Sequence, residues 1–137
     1  MNRIILEEKI NYSFKNEQLL LEALTHSSYA YEHRKVKRHN ERLEFLGDAV
    51  LQLLISTILF ERENLNEGSM TKLRARLVCE PTLARIARQI NLQEHLRLGH
   101  GETLGGGADN DSNLANAMEA VLGAVFIDGG YDACVKV

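Results

Sequence analysis

The sequence predicts an all-α domain of six to seven helices, and three observations carry that reading. The 137 residues contain a single Pro, while Leu, Ala, Glu and Arg, all strong helix formers, are abundant. Apolar residues recur at helical spacing in one segment after another. Several of those segments follow an Asn or Ser suited to capping a helix. With 45% apolar and 26% charged residues, the composition is that of a globular protein. A chain of this length buries about two-thirds of its unfolded surface around one core. Neither an internal repeat nor a linker divides it, so residues 1–137 read as one domain.

Ile4, Ile5 and Ile10 predict a short helix leading into a turn at Tyr12–Phe14. Asn16 opens a second, in which Leu19, Leu20 and Leu21 continue to about Thr25. His26, Ser27 and Ser28 break the periodicity. Tyr31–His39 is basic, lacks helical spacing and reads as a solvated loop; its functional reading is a mobile basic segment beside a phosphate backbone. Asn40 then caps the central helix, predicted over Glu41–Glu63. From Ala49 to Phe60 that helix is apolar nearly all round, as in a helix buried in a core. Ser69 caps a fourth helix, Met70–Val78, with Met70, Leu73 and Leu77 facing inward and Lys72 and Arg76 sharing another face. Pro81 suits the first turn of a fifth, where Leu83, Ile86, Ala87 and Ile90 face the core, and a brief Gln93–Leu98 piece follows.

Gly99–Asp111 is glycine-rich. It has neither the Lys–Ser/Thr nor the preceding strand of a phosphate-cradling loop, so a flexible surface loop is expected. Ser112 caps the last long helix, through about Asp128, with an apolar stripe of Leu114, Met118, Val121 and Val125. Its other face carries Ala115, Asn116, Glu119 and Gly123, small enough in part for another helix to approach closely. Gly129–Gly130 is a stop signal, and Tyr131–Val137 begins a helix that the sequence does not complete.

Function classes narrow by exclusion. No apolar run is taken to reach membrane-spanning length, and the N-terminus lacks the apolar core and cleavage site of a signal peptide. Cys79 and Cys134 sit in apolar helical contexts, consistent with free, buried thiols in a reducing cytoplasm. A net charge of −3 argues against gripping nucleic acid by bulk positive charge, though not against local basic patches.

Glu44 and Asp48 lie four apart on the central helix and share a face, with Glu41 close to the same line. Partly buried acids side by side repel one another and lose hydration unless protons, basic partners or a cation offset the cost. Asn116 and Glu119, three apart on the last long helix, are a second oxygen-bearing pair. If the two faces meet, carboxylate and carboxamide oxygens suit Mg²⁺ or Mn²⁺ rather than zinc. Taken alone, such a pair is more often a salt-bridged or solvated face.

The string Asn40–Leu51, Asn-Glu-Arg-Leu-Glu-Phe-Leu-Gly-Asp-Ala-Val-Leu, resembles the signature motif of the ribonuclease III family. Ala23–Ser28, Glu67–Val78 and Ser112–Asp128 resemble further segments of that family's catalytic domain, and the resemblance covers nearly the whole chain. It implies the all-α endonuclease-domain fold and a homodimer whose groove takes double-stranded RNA. It also implies Mg²⁺-dependent phosphodiester hydrolysis in RNA processing, ribosomal RNA included, leaving 5′-phosphate and 3′-hydroxyl ends with short 3′ overhangs; Mn²⁺ is expected to substitute. Carried over by position, Glu44, Asp48 and Glu119 match the catalytic carboxylates, with Glu44 and Glu119 as metal ligands and Asp48 as ligand or orienter of the attacking water. Glu41 and Glu67 match acids on the RNA-facing surface; apart from the resemblance, RNA affinity is expected to rest on the basic groups Lys72, Arg74 and Arg76, with Arg34–Arg38 as a further basic stretch. Phe45 matches the residue that enters a pocket on the partner subunit.

Two departures qualify the resemblance. The family's fourth acidic position is Asn116, which removes one negative charge; the expectation is weaker Mg²⁺ binding with catalysis retained. Asn116 could instead hydrogen-bond Glu119 or a metal-bound water. The family's C-terminal double-stranded RNA-binding domain has no counterpart here, and the sequence reads as a piece of a longer chain; a naturally minimal enzyme is the other reading, though that subfamily does not carry the motif so closely. The alternatives are a non-catalytic RNA-binding member disabled at Asn116, and a purely structural helical dimerisation module.

Overall fold

The two longest apolar segments form the two longest helices, and these cross at the centre of the molecule. A computed structural model describes residues 3–137. Among them are nine α-helices: α1 (Arg3–Ile10), α2 (Glu17–Ala23), α3 (Ser27–Glu32), α4 (Glu41–Phe60), α5 (Glu67–Val78), α6 (Glu80–Gln89), α7 (His100–Leu104), α8 (Asp111–Gly129) and α9 (Tyr131–Lys136). Two 3₁₀ turns, Leu92–Glu94 and Gly107–Asp109, complete the order. No strand forms among the described residues; one isolated bridge pairs Thr25 with Arg97. The all-α prediction holds, with α3 and α7 added to the expected helices.

The core helix is α8, not α4. Leu114, Ala117, Ala120, Val121, Ala124 and Val125 are fully buried, and α2, α4, α6 and α9 pack around them. In α4 only Leu43, Gly47, Val50, Leu54 and Leu59 are buried, while Leu53, Ile58 and Phe60 face outward. The expectation of all-round burial is therefore corrected: hydropathy does not distinguish a face inside this core from one left on its surface. By length and composition α4 is also the one described helix able to cross a membrane, contrary to the reading of the sequence, although Gly47 and Leu43 pack it directly onto α8.

Several helix starts differ from expectation for one reason. A capping side chain needs an extended backbone at its own residue. Asn40 has φ −81° and ψ −4° and makes no side-chain cap bond; it is buried, and its N–H donates to Thr25 O at 2.8 Å. Asn66, extended, accepts from Ser69 N, so α5 begins three residues before Met70. Asn110 likewise accepts from Asn113 N and replaces Ser112 as the cap of α8. Asn16 caps α2 as expected, accepting from Gln18 N.

The inward stripes shift too. In α1, Leu6 and Ile10 are buried and Ile4 and Ile5 exposed; in α5, Leu77 is exposed; in α6, Ile86 is exposed beside buried Leu83, Ala84 and Ala87. The glycine-rich segment is folded rather than loose. Asn113 Nδ2 donates to Glu102 Oε1 and Gly107 O, at 3.0 and 3.1 Å. Arg88 clamps Asp109 and Asp111 at 3.0 and 2.6 Å, tying the end of α6 to the start of α8. At its other end α8 is held by Asp128, which accepts from Tyr12 Oη at 2.6 Å, Lys15 N at 2.8 Å and Asn16 N at 3.0 Å. The helix bearing Glu119 is thus fixed at both ends.

A candidate metal centre between two helices

Where α4 crosses α8, two glycines let the backbones touch. A Cβ on Gly47 would lie 1.7 Å from Glu119 O, and one on Gly123 would lie 2.4 Å from Leu43 O. Glycine inside a helix is unfavourable by about 1 kcal/mol relative to Ala, so a helical glycine between two acids signals close packing. The small-residue face at Gly123 foretells that approach; its counterpart at Gly47 is found only in the structure. The notch sets Glu119 opposite the Glu44–Asp48 pair, the meeting of faces that the spacing required.

The carboxyl groups respond to that proximity. Burial, a hydrogen bond with Asp48 and the charges of Asp48 and Glu44 push the Glu119 carboxyl up to about 8. Burial, then the charges of Glu41 and Asp48, raise the Glu44 carboxyl as well. At neutral pH the folded protein therefore favours the protonated form of Glu119, which hydrogen-bonds Asp48. Glu44 and Glu119 are half-buried and Asp48 exposed, and crowding of this kind is what a hard cation relieves. The donors fit Mg²⁺ or Mn²⁺ in kind, all being carboxylate or carboxamide oxygens. They are not drawn together in readiness: among the described residues no three His, Cys, Asp or Glu side chains are gathered closely enough to hold a metal ion. Asn116, half-buried one turn before Glu119, makes no side-chain hydrogen bond among the described residues, so the expected alternative of a bond to Glu119 is not present.

Comparison with known proteins agrees with this arrangement. A family model described as ribonuclease-III-like matches residues 16–137, which include all four oxygen-bearing residues. The chain belongs to the ribonuclease-III-like family. It is 59% identical, over 133 residues, to Ribonuclease 3 of Caldanaerobacter subterraneus subsp. tengcongensis, covering 96% of this chain and 58% of that relative. Against Ribonuclease 3 of Carboxydothermus hydrogenoformans it is 54% identical over 134 residues, covering 96% of this chain and 57% of that relative. The chain thus spans little more than half the length of the relatives it matches. The solved nuclease domain of Campylobacter jejuni ribonuclease III, studied for flexibility in the region that forms its dimer, superposes with a TM-score of 0.91. Identity there is 40%, over 98% of this chain and 92% of that one.

The remaining predicted site residues are placed as follows. Glu41 and Glu67 are exposed, as are Lys72 and Arg76, and Glu67 Oε1 accepts from Thr71 Oγ1 at 3.0 Å. Arg74 is half-buried and donates to Ser56 Oγ at 2.9 Å, so its guanidinium joins α5 to α4. Phe45 stands 83% exposed on α4, next to Glu44. An apolar groove of about 380 Å³ adjoins Glu119, lined by Leu51, Ile55, Ile58, Ile86, Met118 and Tyr131 among others. Both cysteines are free as expected, but only Cys134 is buried, which pushes its thiol up to about 11; Cys79, expected to be buried, is partly open to solvent at the end of α5.

Proposed function

We propose that this chain is the nuclease part of a Mg²⁺-dependent endoribonuclease acting on double-stranded RNA, leaving 5′-phosphate and 3′-hydroxyl ends with short 3′ overhangs. The observation that carries the reading is the Glu119 carboxyl against that of Asp48, with Glu44 close enough to repel both. The relatives named Ribonuclease 3 and the nuclease domain at TM-score 0.91 support it.

In this reading Glu44 and Glu119 would hold the cation from opposite helices, Asn116 would offer a neutral oxygen, and Asp48 would orient the water for in-line attack on phosphorus. When bound, the divalent ion activates water and screens charge building on the non-bridging and leaving oxygens. Glu41, Glu67, Lys72 and Arg76 lie on surface open to RNA, recognised by A-form shape and 2′-hydroxyls rather than sequence.

The same reading makes the protein a homodimer working in the cytoplasm. Phe45 is an exposed aromatic, and Leu53, Ile58 and Phe60 add apolar surface on the same helix. In a two-fold dimer each copy offers the other the same patch. The apolar groove beside Glu119 is the candidate seat for Phe45 of a second copy.

The test is long duplex RNA incubated with the protein and Mg²⁺. Shortening to fragments with ligatable 5′-phosphates, lost on chelation and in Glu119→Gln, is expected. Binding without shortening at any protein concentration favours the competing reading, a non-cutting RNA binder, to which Asn116 gives some support. Glu44→Ala altering nothing but stability would indicate a structural module.

A further inference from the structure

Away from the carboxylates, a cleft of about 540 Å³ opens between α2 and the segment joining α3 to α4. Lys35, Lys37, Arg38 and Arg97 line it, and its one acid is Glu22. Glu22 meets Arg38 loosely, at 3.8 Å. Among the described residues Lys35, Lys37 and Arg97 have no acidic partner. In a chain of net charge −3, this is a concentrated positive site.

Arg97 is fixed through both its backbone and its side chain. Its backbone N–H donates to Leu24 O at 2.8 Å and its carbonyl accepts from His26 N at 2.9 Å. Its guanidinium lies over the Tyr29 ring, 4.3 Å from the centroid, and Tyr29 stacks on His33 at 3.9 Å. The flat face is packed, while the N–H edges have no side-chain acceptor among the described residues. A fixed guanidinium edge beside two flexible ammonium groups matches phosphate oxygens. The segment bearing the lysines runs straight into α4, pinned where Asn40 N meets Thr25 O. Farther along α4, Arg74 holds α5, with Lys72 and Arg76, at Ser56. Ser56 is twelve residues beyond Glu44, roughly 18 Å along the axis. The carboxylates therefore sit between two basic regions spaced along one helix.

We propose that this cleft holds backbone phosphates of the RNA on the side of the carboxylate site where α4 begins, with Arg97 as the fixed fork and Lys35 and Lys37 as adjustable charges. The assignment rests on the RNA reading above. Free phosphate compounds carry the same groups, so the experiment separates the two sources.

Binding of a duplex RNA is measured in chelator, from about 50 to 200 mM KCl. The exposed double variant Lys35→Ala/Lys37→Ala leaves the core untouched. It is expected to bind about tenfold more weakly and to lower the salt slope by about one for each phosphate no longer neutralised. Arg97→Lys keeps the charge but loses the fork, and is expected to weaken binding with the slope retained. Pyrophosphate, titrated as the probe, should compete with RNA on the wild-type protein. Unchanged affinity and slope in the double variant, with the wild type still binding RNA, overturns the proposal. So does pyrophosphate binding lost in the double variant while RNA binding is unaltered, which makes the cleft a small-anion site. If the wild type binds no duplex RNA at any salt, the RNA reading falls and this assignment falls with it.

Discussion

Glu119 carries the most informative single group. Its carboxyl is raised from 4.5 to about 8, burial first and Asp48 second. A folded-state value above the unfolded one means that the folded protein keeps a proton the unfolded chain has released. Stability from this group is full below about pH 4.5 and is lost as pH rises towards 8. In chelator, Glu119→Gln is therefore expected to melt a few degrees above the wild type at pH 9, the gap closing near pH 5. Melting curves that run parallel across that range would contradict it. His95 runs the other way: burial lowers its ring, and Nδ1 has no partner among the described residues. Its neutral form stabilises the fold above the ordinary value of 6.5, and that stability is lost on acidification. His95→Phe is expected to flatten the acid limb of the same melts. At Asn116 a missing charge is the issue: Asn116→Asp is expected to reduce several-fold the Mg²⁺ needed for half-maximal cleavage. An unchanged requirement would remove the electrostatic argument for that position.

At the scale of elements, the α4–α8 crossing depends on two hydrogen atoms in place of methyl groups. Gly123→Ala puts a Cβ 2.4 Å from Leu43 O, a backbone atom that cannot swing away. Overpacking of this kind costs about 1–3 kcal/mol. Thermal melts should show that loss together with weaker Mn²⁺ binding, because the helices part where the carboxylates face. A variant with wild-type melting and wild-type Mn²⁺ affinity would show that the notch does not set the site. The long helices and the acid pairs were legible in the sequence because their spacing is written along one strand of chain. The caps at Asn66 and Asn110 were not, since backbone angles rather than residue type decide which Asn or Ser accepts. The short helices α3 and α7 were also missed: six and five residues do not hold a helix alone, and Gly99 N donating to Ser28 Oγ at 2.8 Å ties them together across 71 residues of chain.

Across the whole molecule, what the sequence concealed is which apolar surface awaits a second copy. A run from Ala49 to Phe60 reads the same whether it lines a core or a dimer interface. The proposed homodimer gives Phe45, 83% exposed in the isolated chain, somewhere to go. Phe45→Ala is expected to shift the sedimentation profile from dimer towards monomer while leaving helical content intact. A wild-type protein that sediments as a monomer at all concentrations would remove this role for Phe45. Charge is distributed on the same scale: acids converge where α4 meets α8, and basic groups gather at α5 and in the cleft before α4.

The measurement that bears most directly on a shared cation between α4 and α8 is a crystal structure of the protein soaked in Mn²⁺, read by anomalous scattering. A peak is expected there, bounded by carboxylate oxygens of Glu44 and Glu119, with Asp48 beside it. Saturating Mn²⁺ with no such peak, and with the Glu119 side chain turned away from Glu44 and Asp48, would contradict it.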